Sequence, residues 1–136
     1  MLDLSKMNVT KAAEAGYEFE VTYLGEPLGA FIKVRGEDSP VVKAYSRKKF
    51  TEFQMREQAA RRRNKEADQM TPEEAEDLSI ETAVVRTIGW RGITEGGKEI
   101  EFTKENAERI YREHAWIRKL VMENSSEAIN FRPIGD

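Results

Sequence analysis

The sequence predicts an α+β fold, an N-terminal antiparallel β-hairpin or small sheet packed on a bundle of about four helices, and three observations carry that expectation. From Tyr17 to Leu24 apolar and polar residues alternate, with Tyr17, Phe19, Val21 and Tyr23 on one face, as a half-buried strand requires. Two proline-bearing start signals, Ser39-Pro40 and Thr71-Pro72, open stretches with helical apolar spacing. The fifteen residues from Ile88 to Phe102 hold four glycines and two bulky aromatics, the chemistry of a fixed elbow between helical segments.

Taken in order, Val9 to Ala15 reads as a short helix closed by Gly16, and the strand from Tyr17 follows it. Gly25-Glu26-Pro27-Leu28-Gly29 is turn chemistry, and Ala30 to Gly36 is the return strand of the hairpin. Two strands are marginal alone, so their apolar face needs cover from a helix or another strand. Ile93 to Phe102 either supplies that cover or forms a small hairpin of its own around Gly96-Gly97.

Ser39 is read as the N-cap, with Pro40 at the first helical position, of a helix running to about Gln69. Val41, Val42, Tyr45, Phe50 and Phe53 are expected to pack its first half on the sheet, leaving the second half to project into solvent. Thr71, Pro72 and Glu74 form the strongest start signal in the chain, a capping box. The helix it opens is expected to carry a wide apolar face through Val85 and Ile88, with Gly89 ending it in a left-handed conformation and Trp90 packing back on the helices as a core anchor. Gly89, Trp90, Gly92, Gly96 and Gly97 are thus read as structural residues of the elbow. Thr103 caps a third helix whose inner face is Ala107, Ile110 and Tyr111, and the stripe continues through His114, Ile117 and Val121 to about Asn124.

At 136 residues the chain reads as one domain, 1–136: a hairpin region over 1–38, a helical hairpin over 39–88, the elbow or short hairpin over 89–102, helices over 103–124 and a flexible arm over 125–136. With 39% hydrophobic and 35% charged residues and a mean hydropathy of -0.68, the core is thin for the length, and association with a partner or a second copy would supply burial. No run of about 18 apolar residues offers a membrane span, and no signal peptide is read at the start. The absence of cysteine removes disulfides and thiolate metal sites and points to an intracellular protein.

Charge splits across the helical hairpin. Lys43 to Lys65 holds nine basic and two acidic residues, while Glu66 to Glu81 holds seven acidic and no basic ones. A turn near Met70 would lay the two blocks side by side, so they are expected to screen one another. Arg61, Arg62, Arg63 and Lys65 form the one basic run to which nucleic acid would bind. It lacks interleaved aromatics, and the net charge is -3.

Catalytic chemistry has little to start from. His114 is the only histidine and lies on an apolar stripe; the elbow glycines form no phosphate-binding fingerprint; Glu73 and Glu74 are accounted for as helix N-terminal residues. The expectation is a non-enzyme with no cofactor and no metal.

The order of motifs also resembles a known family. A hairpin with Gly25-Glu26-Pro27-Leu28-Gly29, Ile32 and Val34 is followed by Asp38-Ser39-Pro40 and a long charged helix. Then come Ile88-Gly89-Trp90-Arg91-Gly92-Ile93, Gly96-Gly97-Lys98-Glu99-Ile100-Glu101-Phe102-Thr103-Lys104-Glu105-Asn106 and a helix bearing Trp116-Ile117. Over roughly Gly25 to Phe131 this resembles the tail assembly chaperones of long-tailed, siphovirus-type bacteriophages and prophages. Where that pattern leads one to expect a helix-breaking proline before Trp116, this chain has His114-Ala115. The resemblance implies a small non-virion factor of the host cytoplasm that binds the tape measure protein, keeps it soluble and helps recruit tail tube subunits. It also implies a longer form made by translational frameshifting. Trp116, Leu120, Ile129 and Phe131, apolar residues that a small core need not absorb, are the expected contact surface. Two other readings stay open: a small interaction or regulatory module, and a nucleic-acid binder using Arg61 to Lys65.

Overall fold

The N-terminal hairpin is tighter than its glycine and proline content suggests. In the computed structural model, which describes residues 1–66 and 69–133, β1 (Tyr17–Tyr23) reverses through Leu24 and Gly25 into β2 (Glu26–Val34). Both turn residues have positive φ, 51° and 83°, the backbone that matches the twist of a two-residue hairpin. The wide turn expected over Gly25 to Gly29 is therefore absent, and Pro27 lies inside β2 opposite Thr22, beside a register shift in the pairing. Phe19, Val21, Ala30, Ile32 and Val34 point into the core, and Glu18, Glu20 and Lys33 point out.

A third strand completes the sheet. β3 (Thr87–Arg91) pairs antiparallel with β2, with Trp90 opposite Ile32 and Gly89 opposite Lys33, in the order β1-β2-β3. This corrects the helical reading through Ile88 and the role given to Gly89. The preceding helix stops at Arg86, Thr87 is already extended at φ -92° and ψ 129°, and Gly89 belongs to a strand. Pairing with β2, a long-range contact, overrides the local helix pattern. On the outer face Arg91 lies over the Phe31 ring, 4.0 Å from its centre, and donates to Glu18 at 2.9 Å.

The elbow bends at Gly92. Its φ is +80°, and a Cβ there would lie 2.6 Å from the carbonyl oxygen of Gly29. The chain then makes a minimal hairpin, β4 (Thr94–Glu95) and β5 (Lys98–Glu99), turning at Gly96-Gly97 as one of the two sequence alternatives held. Ile100 N donates to Ile93 O at 2.8 Å and Trp90 Nε1 to Ile100 O at 2.8 Å, so the loop is fixed at its base. Trp90 packs on the core and meets Phe102 and Tyr111 edge-on, with ring centres 5.0 and 6.1 Å apart.

The described residues form five α-helices: α1 (Val9–Ala15), α2 (Pro40–Arg62), α3 (Pro72–Arg86), α4 (Lys104–Glu113) and α5 (Ala115–Ser126). Two caps form as the sequence predicts, Thr71 Oγ1 accepting from Glu74 N and Thr103 Oγ1 from Asn106 N, each at 3.1 Å. Ser39 does not cap α2 with its side chain. It is fully buried and donates to Glu14 of α1 instead. The break between α4 and α5 falls at His114, at φ -124° and ψ 75°, so the chain bends where a proline was missing.

The core is built by β1, β2, α3, α4 and α5. At its centre the wholly buried Tyr111 shares a 2.7 Å hydrogen bond with Thr87 Oγ1, which donates onward to Ala83 O at 2.8 Å. Burial pushes the Tyr111 hydroxyl pKa upward, the Thr87 bond offsetting part of that shift. Around this centre Arg35 donates to the carbonyls of Val85 and Thr87 at 3.0 and 3.1 Å, and Ser125 donates to Arg35 O at 2.6 Å, tying the end of β2 to the α3–β3 junction and to α5.

Two expectations about the periphery are corrected. The chain after Asn124 is not a loose arm through Pro133: α5 continues to Ser126, Ala128–Phe131 forms a 3-10 turn, and Phe131 is buried against Tyr17 and Gly36. A Cβ on Gly36 would stand 2.9 Å from the Phe131 ring, so the missing side chain is what lets the ring in. Ile134, counted in the predicted arm, lies outside the described residues. Conversely, α2 does not pack its aromatics on the sheet and ends at Arg62, short of Gln69. Val42 and Ala60 are its buried residues, while Phe50, Phe53 and Met55 are 65%, 49% and 64% exposed.

Candidate partner-binding surface

Helical spacing explains where the α2 side chains go. Tyr45, Lys49, Glu52 and Arg56 follow one another at intervals of three and four and share the face toward α3, whereas Phe50 lies five residues from Tyr45 and turns away. Polar contacts hold the two helices together along that face. Lys49 Nζ meets Glu81 at 3.1 Å and, within α2, Glu52 at 3.3 Å; Arg56 meets Glu74 at 3.2 Å, and the hydroxyls of Thr82 and Tyr45 share a hydrogen bond at 3.4 Å. The hydrogen bond to Glu81, more than any other contact, raises the pKa of Lys49. Burial raises that of Tyr45. The basic and acidic blocks thus meet as an antiparallel hairpin, as the charge pattern predicts, through these inner pairs.

Between the helices lies a groove of about 390 Å³ with an apolar floor of Phe53, Met70 and Leu78 and charged rims of both signs, Lys49, Glu52 and Arg56 from α2 and Glu74, Asp77 and Glu81 from α3. An apolar trough of this kind takes the apolar stripe of an amphipathic helix, and mixed rims meet that helix's flanking charges. Phe53 and Met70 remain exposed, and none of the three floor residues belongs to the core cluster.

The residues predicted for this role from the sequence lie elsewhere, and the exposure that motivated them holds for Ile129 alone, at 60%. Phe131 belongs to the core. Trp116 and Leu120 are half-buried and pack against it, the Trp116 ring tilted against that of Tyr23 with centres 5.1 Å apart. Trp116 does line a smaller cleft of about 280 Å³ with His114, Leu28 and Ile93, but its remaining walls, such as Val21, Ile110 and Ile117, are core side chains. Of the elbow residues, Gly92, Gly96 and Gly97 have the positive φ that the turns require, and Gly89 does not. Arg61, Arg62, Arg63 and Lys65 are exposed beyond the last ion pair of the hairpin and form no ion pair among the described residues. The sequence reading missed Phe53, Met70 and Leu78 as a set because it assigned α2's aromatics to the sheet. The three-and-four spacing of Tyr45, Lys49, Glu52 and Arg56 was the signal that α2's inner face is charged.

No helix among the described residues is long and apolar enough to cross a membrane. No curated protein and no solved structure matches the chain. A family model does: the one described as YdaY prophage protein matches residues 45–133, from the second turn of α2 to the residue after Arg132, and so includes both walls of the groove.

Proposed function

The chain belongs to the YdaY prophage protein family, and from that premise we propose that it is a phage tail assembly chaperone, a non-enzymatic factor of the host cytoplasm. In this reading it binds the tape measure protein, keeps it soluble and helps recruit tail tube subunits. The observation that carries the reading is the groove between α2 and α3, whose apolar floor the fold leaves open to solvent. A tape measure protein is a long helix with apolar faces that self-associate unless covered. Each fully buried Leu- or Phe-sized side chain gains about 2 kcal/mol on leaving water, so a few such contacts compete with self-association. The rims set orientation and partner choice more than strength, because exposed ion pairs contribute little.

The test is co-expression with the tape measure protein encoded nearby, followed by affinity purification and sizing at moderate and high salt. Soluble co-elution that survives high salt supports the proposal. A tape measure protein that stays insoluble while this chain elutes alone removes direct binding by this form, and the same experiment is then run with any longer frameshifted product. A neighbouring tail tube gene upstream and a very long helical gene downstream would agree with the proposal.

A further inference from the structure

The side of α2 that faces away from α3 carries a second pattern. Lys43, Arg47, Phe50, Gln54, Glu57 and Arg61 recur at intervals of four, three, four, three and four, the spacing of a helix-pairing seam, and all six are exposed. Phe50, 65% exposed, sits near the middle. Arg47, Glu57 and Arg61 form no ion pair among the described residues, and Lys43 meets only Asp38 of its own chain, at 3.6 Å with both side chains about half exposed.

We infer that this seam pairs antiparallel with the same seam of a second copy of the chain, about a two-fold axis at Phe50. Reversal about position 50 sets Lys43 opposite Glu57 of the partner helix, seven residues either side of the axis. It sets Arg47 beside the partner's Phe53 and Gln54, and Arg61 and Arg62 at the level of the partner's exposed Asp38. Every contact off the axis occurs twice, as an isologous interface demands. The two Phe50 rings cover one another at the axis, and Arg47 lies where it can stack on an aromatic ring. Parallel pairing would instead set Lys43, Arg47 and Arg61 against their own copies, and a uniformly acidic helix or a nucleic acid would leave Glu57 facing like charge. Self-complementary charge thus selects a second copy in the antiparallel sense. The seam is centred opposite the α3-facing side of α2 and meets the groove only at its edge, where Arg47 approaches the partner's Phe53, so this inference goes beyond the partner reading and does not rest on it.

The chain has no cysteine, so single cysteines report the geometry directly. Under mild oxidation F50C should form a disulfide-linked dimer, while M55C, exposed on the other flank of α2, should remain monomeric. Sedimentation of the cysteine-free protein should show a dimer that dissociates on dilution. The variants K43E and E57K should each weaken that dimer by about tenfold or more, since each reversal acts at two symmetry-related places, and the double variant K43E/E57K should recover it. Monomeric sedimentation at every concentration overturns the inference. So does a dimer in which F50C and M55C cross-link alike, or in which the double charge swap binds no better than either single one.

Discussion

Phe53 and Phe131 are the same residue in opposite situations. Phe131 comes from the last stretch of chain yet is 9% exposed, seated on Gly36 and edge-on to Tyr17, while Phe53 comes from the middle of the longest helix and is 49% exposed. The C-terminal segment closes the core, whereas the α2–α3 hairpin gives the core Ile80 and Ala83 of α3 and leaves Phe50, Phe53 and Met55 of α2 exposed. In the proposed function, folding and partner binding draw on different parts of the molecule, and apolar character alone does not say which residue serves which.

The largest effect is expected where the contrast is sharpest. Phe131→Ala should cost about 3 kcal/mol, read as a lowered denaturant midpoint with unchanged slope, because it opens a cavity between Gly36 and Tyr17. Replacing Ile129 by Ser beside it should leave the midpoint unchanged, since that side chain is in water. Next comes Gly92→Ala, expected to cost about 2 kcal/mol through its positive φ and the contact of a new Cβ with Gly29 O.

Tyr111→Phe should cost about 1 kcal/mol, because Thr87 keeps its bond to Ala83 O and loses only that to the phenol. It also has a pH signature. The unfolded tyrosine titrates near 10, the folded one above it, so the native state holds more protons between the two values and stability falls as pH rises past about 10. Alkaline melting curves should show that decline in the wild type and a shallower one in Tyr111→Phe. Smallest of all, Arg56→Ala should change stability by under about 0.5 kcal/mol, as its pair with Glu74 is exposed on both sides.

What could be read from the sequence was what neighbours along the chain decide. The alternation from Tyr17 to Tyr23, the caps at Thr71 and Thr103, the inner face of Ala107, Ile110 and Tyr111 and the turn at Gly96-Gly97 are local patterns, and each forms. Gly89 was misread because its strand exists only through pairing with β2, and Phe131 because its pocket is made by residues far away in sequence. Ser39 looked like a cap and instead serves Glu14, twenty-five positions earlier. The groove was hidden for a related reason. Its walls could be predicted from the opposed charge blocks, but its floor depends on which α2 residues the sheet leaves unused.

The most direct measurement pairs stability with capture for one variant, Phe53→Ser/Met70→Ser, which alters the groove floor and leaves Phe131 and its pocket intact. If folding and binding are separate, its denaturant midpoint stays within about 1 kcal/mol of the wild type while co-elution with the tape measure protein at high salt is lost. A variant that still captures the tape measure protein, or one that loses capture only because it unfolds, would contradict the assignment of the groove.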